Sequence, residues 1–306
     1  MMDIIGRRRW YFAFSGLLVV FAGLSLGLFG LNLGIDFTSG SIMNLGFARA
    51  VDPGEVQAVL AAAGIGEATV QTAESNAVLI RAGGIDSENK PDILAQLRDR
   101  FGTVEELSFN SVGPVIGREL TRKALLAVGV ASLAILLYLT WAFRRVEKPF
   151  RYGVTAVVAL VHDALTLIGA FSILGRFAGV QVDSLFVTAV LTVVGFSVHD
   201  TIVVFDRIRE NRSRHRERPF PDVVNFSLNQ TLDRSLNTSL TAIFVLAALF
   251  ALGGTTIREF VLALLIGIVV GTYSSIFTAS CLLVSWERGE LGRALRLPLR
   301  LLRLAR

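Results

Sequence analysis

The chain has 306 residues, 53% of them hydrophobic and 18% charged, and a mean hydropathy of +0.59. That is too apolar for a soluble protein of this length and marks a membrane protein with several spans. The net charge of +5 and pI near 9.9 do not point to nucleic acid, because the basic residues flank apolar runs, where they set topology and meet anionic lipid. A single cysteine, Cys281, leaves no intrachain disulfide and reads as a packing residue.

Residues 1–35 open with Arg7, Arg8 and Arg9 and continue into an apolar run over 11–33. The run is too long for the core of a signal peptide and no clear cleavage site follows, so an uncleaved first span is expected. Residues 36–120 form the one sizeable polar segment, long enough for a small domain. Within it, strands are expected over 40–48, 68–73, 77–81 and 104–109, and helices over 53–63 and 86–101. Asp52 and Pro53 suit the start of the first helix, and Ser75-Asn76 the turn between the middle strands. The order βαββαβ is that of an α+β ferredoxin-like domain, a fold that carries no function by itself.

Five more spans are expected within residues 121–286, over 124–143, 152–174, 185–205, 235–254 and 260–286. The fifth opens on polar residues, among them Ser235, Asn237, Ser239 and Thr241. The sixth carries Gly267 and Gly271 in a G-x-x-x-G spacing continued by Ser274, Ser275 and Ala279, a helix-contact face. Residues 287–306 are an arginine-rich tail. Basic residues gather at the N-terminus, after spans two and four, and in this tail, whereas the opposite short connections hold only Arg176 and Arg258. By the positive-inside rule both termini are cytoplasmic and the ferredoxin-like domain extracytoplasmic.

Asp200 is the main candidate site residue. It lies in an apolar run seven residues before Arg207, roughly 10 Å from the expected membrane boundary. A carboxylate at the centre of a membrane helix costs ~2.5–3.5 kcal/mol even on lenient scales, so such a residue marks function by default. Its neighbours one turn away, Phe196, Ser197, Val203 and Val204, carry no charge, so its balance comes from another helix, water or a proton. We read it as a proton-binding site, against hydration from the near side or a serine hydrogen bond. Arg234, at the polar start of span five, is the candidate cation, with snorkelling to the headgroups as the alternative. Asp163 lies deep in span three, where Ala159, Thr166 and Ala170 make a small face that should point inward. The dipeptides His162-Asp163 and His199-Asp200 are expected to face one interior from antiparallel helices, as relay groups or as bundle hydrogen bonds. Asp206, Arg207, Arg209 and Glu210 read as a salt-bridged helix end without a transport role. No phosphate loop, metal-ligand cluster or nucleophile elbow is present, so no enzyme activity and no cofactor are expected.

Several motifs together carry a resemblance: Gly34-Ile35-Asp36-Phe37, Ser111-Val112-Gly113-Pro114 with Gly117, Glu119 and Leu120, His162-Asp163, residues 195–211, Asn229-Gln230-Thr231-Leu232 with Arg234, and residues 263–277. They cover nearly the whole chain, which resembles SecF, the smaller member of the SecD/SecF family of bacterial protein export. The resemblance implies a six-span half of a resistance-nodulation-division type transporter in the bacterial inner membrane, with an extracytoplasmic ferredoxin-like domain. It implies SecD as partner, the SecYEG channel and SecA motor as the machine assisted, and a translocating preprotein as cargo. It also implies that Asp200 and Arg234 take part in proton conduction. His199, Cys281 and Ser39 stand where the family often has Asn, Pro and Gly. A non-conducting scaffold subunit, and an exporter of small molecules or lipids, remain as alternatives.

Overall fold

The computed structural model describes residues 2–66, 68–73 and 76–290, so Ser75 of the expected turn and the arginines of the tail beyond 290 lie outside the described residues. The chain forms two compact units, Leu33–Leu125 and the segments on either side of it.

The smaller unit holds β1 (Gly40–Phe47), α3 (Pro53–Ala62), β2 (Ala68–Thr72), β3 (Ala77–Ala82), α4 (Lys90–Phe101) and β4 (Val104–Val112), after a short α2 (Ile35–Thr38) that follows α1 (Arg8–Phe29) of the other unit. The strands pair in the order β2-β3-β1-β4, all antiparallel, which is the ferredoxin-like arrangement. Alternation in β1 turns Met43, Leu45 and Phe47 onto the helices. They meet Val56 and Leu60 of α3 and Ile93, Leu97 and Phe101 of α4 in one core. Asp52 takes the cap position of α3 with Pro53 next to it, but its side chain makes no capping bond. The second helix starts at Lys90 rather than 86, because Asp86 and Asn89 close a turn on each other. The Asp86 carboxylate accepts from the Asn89 amide at 2.9 Å and the Asn89 side chain accepts from the Asp86 amide at 2.9 Å.

Ser39 lies between α2 and β1 at φ 68°, ψ 155°, a region that residues with a Cβ rarely enter and that costs of order 1–3 kcal/mol. Ser39→Gly is therefore expected to stabilise the smaller unit by about 1 kcal/mol. Denaturant unfolding of the full chain, followed by a probe in this unit, checks it; an unchanged midpoint would mean that the serine is not strained.

The larger unit contains the apolar helices α1 (Arg8–Phe29), α6 (Pro149–Ala178), α7 (Ser184–Arg214) and α8 (Phe220–Leu252), together with α5 (Pro114–Ala142) from residue 126 onward. A sixth span runs through α9 (Thr255–Tyr273), a π-helical turn (Ser274–Ala279) and α10 (Ser280–Glu287). All six are long and apolar enough to cross a membrane; α6, α7 and the sixth span are the buried ones, and α1, α5 and α8 are largely exposed. α8 begins well before residue 235. Its first turns are amphipathic, with Val223, Val224 and Leu228 buried against the helix core, so packing extends the helix beyond the apolar run. Asn225 and Asn229 on these turns hold the N-terminus: their side-chain oxygens accept from the amides of Ile4 at 2.8 Å and Met2 at 2.7 Å. The G-x-x-x-G face packs inside the bundle, because a Cβ at Gly267 would stand 2.2 Å from Val193 and one at Gly271 3.1 Å from Ser197.

Candidate functional site

Among the described residues two carboxylates, Asp163 and Asp200, are buried inside the larger unit, and their surroundings differ. Asp163 on α6 is 0% exposed and fully engaged. Its Oδ2 accepts from Ser197 Oγ of α7 and from Ser274 Oγ of the π turn, both at 2.7 Å, and Oδ1 lies 3.0 Å from His162 Nδ1. Three short contacts satisfy most of what a carboxyl group can bond, which makes Asp163 a junction of three spans. The π turn supplies its part of that junction: Ser274 reaches Asp163, while Ser275 donates to the Ser197 carbonyl at 2.9 Å and lies 2.9 Å from Thr201 Oγ1. π-helical turns of this kind recur at functional positions.

Asp200 on α7 is 2% exposed, yet among the described residues its one hydrogen bond is from Ser239 Oγ of α8, at 3.5 Å. That distance is at the limit of a hydrogen bond and contributes little. Ser239 is held by Thr272 Oγ1 of α9 at 2.6 Å. One turn before it, Ser235 Oγ is buried with no partner among the described residues. An ionised Asp200 is thus nearly alone in a low-dielectric interior, and a proton, a water or an arriving cation is required to complete it.

Arg234 does not complete it in this structure. Its side chain is exposed and lines a small cleft of about 260 Å³ beside Asp206, Arg207 and Glu210. Among the described residues neither Asp200 nor Arg234 is in an ion pair. Arg234 precedes Ser239 by five residues, roughly 7.5 Å along the helix axis, a span that a guanidinium on its flexible stem can cover. Asp206, Arg207, Arg209 and Glu210 form the expected ion pairs at the end of α7, Arg207 with Glu210 at 2.6 Å and Arg209 with Asp206 at 2.5 Å.

The expectation that both His-Asp pairs face one interior holds for three of the four groups. His162, Asp163 and Asp200 are buried, but His199 is exposed on the outer side of α7. Adjacent helix residues point about 100° apart, so only a helix packed on several sides can bury both members of a dipeptide. α6 is such a helix and α7 at this level is not. That the hydroxyl groups of Ser197, Ser274, Ser275, Thr201, Ser239 and Thr272 join these spans was not read from the sequence, which offered only a serine hydrogen bond to Asp200 as an alternative. The run of small residues through Ser274 and Ser275 was the available signal, and it looked like packing alone.

The arrangement defines a polytopic membrane protein built around buried carboxylates, with an attached α+β unit. The description "Protein export membrane protein SecD/SecF, C-terminal" matches residues 92–289, and the SecD/SecF GG motif matches residues 22–51. The chain belongs to the SecD/SecF family. It is 51% identical to the protein translocase subunit SecF of Thermobaculum terrenum, over 97% of each chain, and 46% identical to that of Anaerolinea thermophila, over 95% of this chain and 96% of the relative. The crystal structure of SecDF from Thermus thermophilus, described as a translocon-associated membrane protein, superposes with a TM-score of 0.81 at 36% identity. That match covers 94% of this chain and 39% of the longer SecDF chain.

Proposed function

We infer that the chain works as a protein translocase subunit, the role named for its SecF relatives, and that it spends the proton gradient to promote export of preproteins. In this reading it pairs with a SecD-type chain and assists the SecYEG channel and the SecA motor. Its termini lie on the cytoplasmic side of the bacterial inner membrane, residues 36–120 form an extracytoplasmic domain, and 121–286 hold spans two to six. Asp200 loads and releases the proton, Arg234 is the cation that alternates with it, and Asp163 with His162 holds the spans together beside it. His199, on the outside of α7, is left to meet lipid or a neighbouring chain.

The observation that carries the reading is the contrast between the two buried acids. Asp163 has three short contacts, whereas Asp200 has one contact at 3.5 Å and, nearby, a serine hydroxyl without a partner among the described residues. A carboxylate held by several donors is fixed in its charged form, whereas a buried one with few partners is free to take up a proton. The test is the completion of preprotein translocation in vesicles that contain the chain and SecD, with and without an imposed proton gradient. The gradient accelerates completion when Asp200 is intact and has no effect when it cannot titrate. Equal responses would leave a scaffold role.

Arg234→Lys keeps the charge but loses the planar fork of donors. It is expected to retain partial gradient-dependent export in the same vesicles. Full activity would instead mean that Arg234 only snorkels to the headgroups.

A further inference from the structure

The arginines that set topology in the sequence converge in the fold. A cavity of about 480 Å³ opens where the α5–α6 connection, the first turn of α6, the end of α7, the α7–α8 connection and the end of α10 meet. Arg145, Arg151, Arg209, Arg212 and Arg216 line it, over an apolar floor that includes Phe220 and Leu283. Two carboxylates, Glu147 and Glu287, are also in the lining.

The charges do not cancel. Glu287 is shared between Lys148, at 2.9 Å, and Arg151. Arg209 takes Asp206, and Arg212 donates to the backbone carbonyls of Arg216 and Arg218 at 3.3 and 2.9 Å, which fixes the connection but neutralises nothing. Arg145 and Arg216 have no carboxylate partner among the described residues. α6 and α8 both begin at this end, so the positive ends of their dipoles add to the field, with Asp222 in the first turn of α8 offsetting part of it. The cavity lies at the ends of membrane spans, beside Trp286, over which Arg151 is placed at 5.8 Å. Aromatic rings and arginines at this level are the usual headgroup-depth anchors.

We propose that this cavity binds the phosphate of an anionic phospholipid headgroup, with Arg145 and Arg216 as its unspent charges and the apolar floor beneath the glycerol and upper acyl chain. Guanidinium forks match phosphate oxygens in geometry and charge, and basic pockets between spans are sites for such headgroups. A soluble phosphate would use the same arginines but would gain nothing from Phe220 and Leu283.

Native mass spectrometry of the detergent-purified full chain, titrated with dioleoylphosphatidylglycerol or dioleoylphosphatidylcholine, tests this. Wild type is expected to bind the glycerol lipid in preference to the choline lipid. Each arginine contributes about five-fold in affinity for an anionic surface, so Arg145→Gln with Arg216→Gln should lose roughly 25-fold and Arg216→Gln alone about five-fold. Arg144→Gln, which removes a charge stacked on Trp141 outside the cavity, should change binding less than about two-fold. Equal binding of both lipids, or equal losses in the cavity and control variants, would overturn the site. Displacement of the glycerol lipid by equimolar inorganic phosphate would assign the cavity to a soluble anion and overturn the lipid assignment.

Discussion

Asp200→Asn is expected to insert and fold like the wild type and to lose all gradient-dependent acceleration of preprotein export. The amide has nearly the shape of the carboxyl group and can keep the weak contact with Ser239, so stability should change by less than about 1 kcal/mol. What it cannot do is exchange a proton. One elementary charge falling through 100 mV releases ~2.3 kcal/mol, so a gradient of ~200 mV supplies roughly 4.6 kcal/mol per proton. Driving a two-state element from 1:99 to 99:1 takes ~5.5 kcal/mol, which one or two protons provide. In the proposed reading the whole of that supply passes through Asp200, and the loss is therefore expected to be complete rather than graded. Translocation that needs no gradient should continue at the wild-type rate. A variant that still responds to the gradient would remove Asp200 from the coupling path.

The second large effect concerns α1. This helix is exposed over much of its surface and is attached along one stripe to α6, where the backbones approach closely. A Cβ placed on Gly169 would stand 2.3 Å from the Ala22 Cβ and 2.4 Å from its Cα, and Ser25 Oγ donates to the Gly169 carbonyl at 3.1 Å. No rotamer relieves a clash with backbone atoms, so Gly169→Leu must push α1 away. Overpacking of this kind costs about 3 kcal/mol or more, and here it also breaks the serine bond. The variant is expected to lower the unfolding temperature of the purified chain sharply or to prevent its accumulation. Gly23→Leu is the control, since nothing lies within 4 Å of a Cβ at Gly23 on α1, and it should behave like the wild type. Equal losses in both variants would mean that the leucine acts through the membrane or the unfolded chain, not through the contact with Ala22.

Much of this protein was legible from local pattern. Apolar runs longer than a bilayer crossing determined the six spans, and alternation in segments such as 40–47 determined the ferredoxin-like unit, because burial in lipid or against a sheet selects residues one by one along the chain. The carboxylate at Asp200 stood out for the same reason, since its transfer from water is unfavourable whatever surrounds it. Direction and partnership could not be read in that way. That His199 points outward while His162 points inward depends on how many neighbours pack around α7 and α6. Asp163 finds Ser197 and Ser274, 34 and 111 residues away, only because α6, α7 and the π turn meet at one level. The arginines at 145, 151, 209, 212 and 216 converge only when two connections and the neighbouring helix ends close over one cavity. The sequence by itself determined which segments leave water and which residue is out of place among them; the tertiary structure alone decided which polar groups meet, because hydrogen bonds and charges act over a few ångströms in space and not over any distance along the chain.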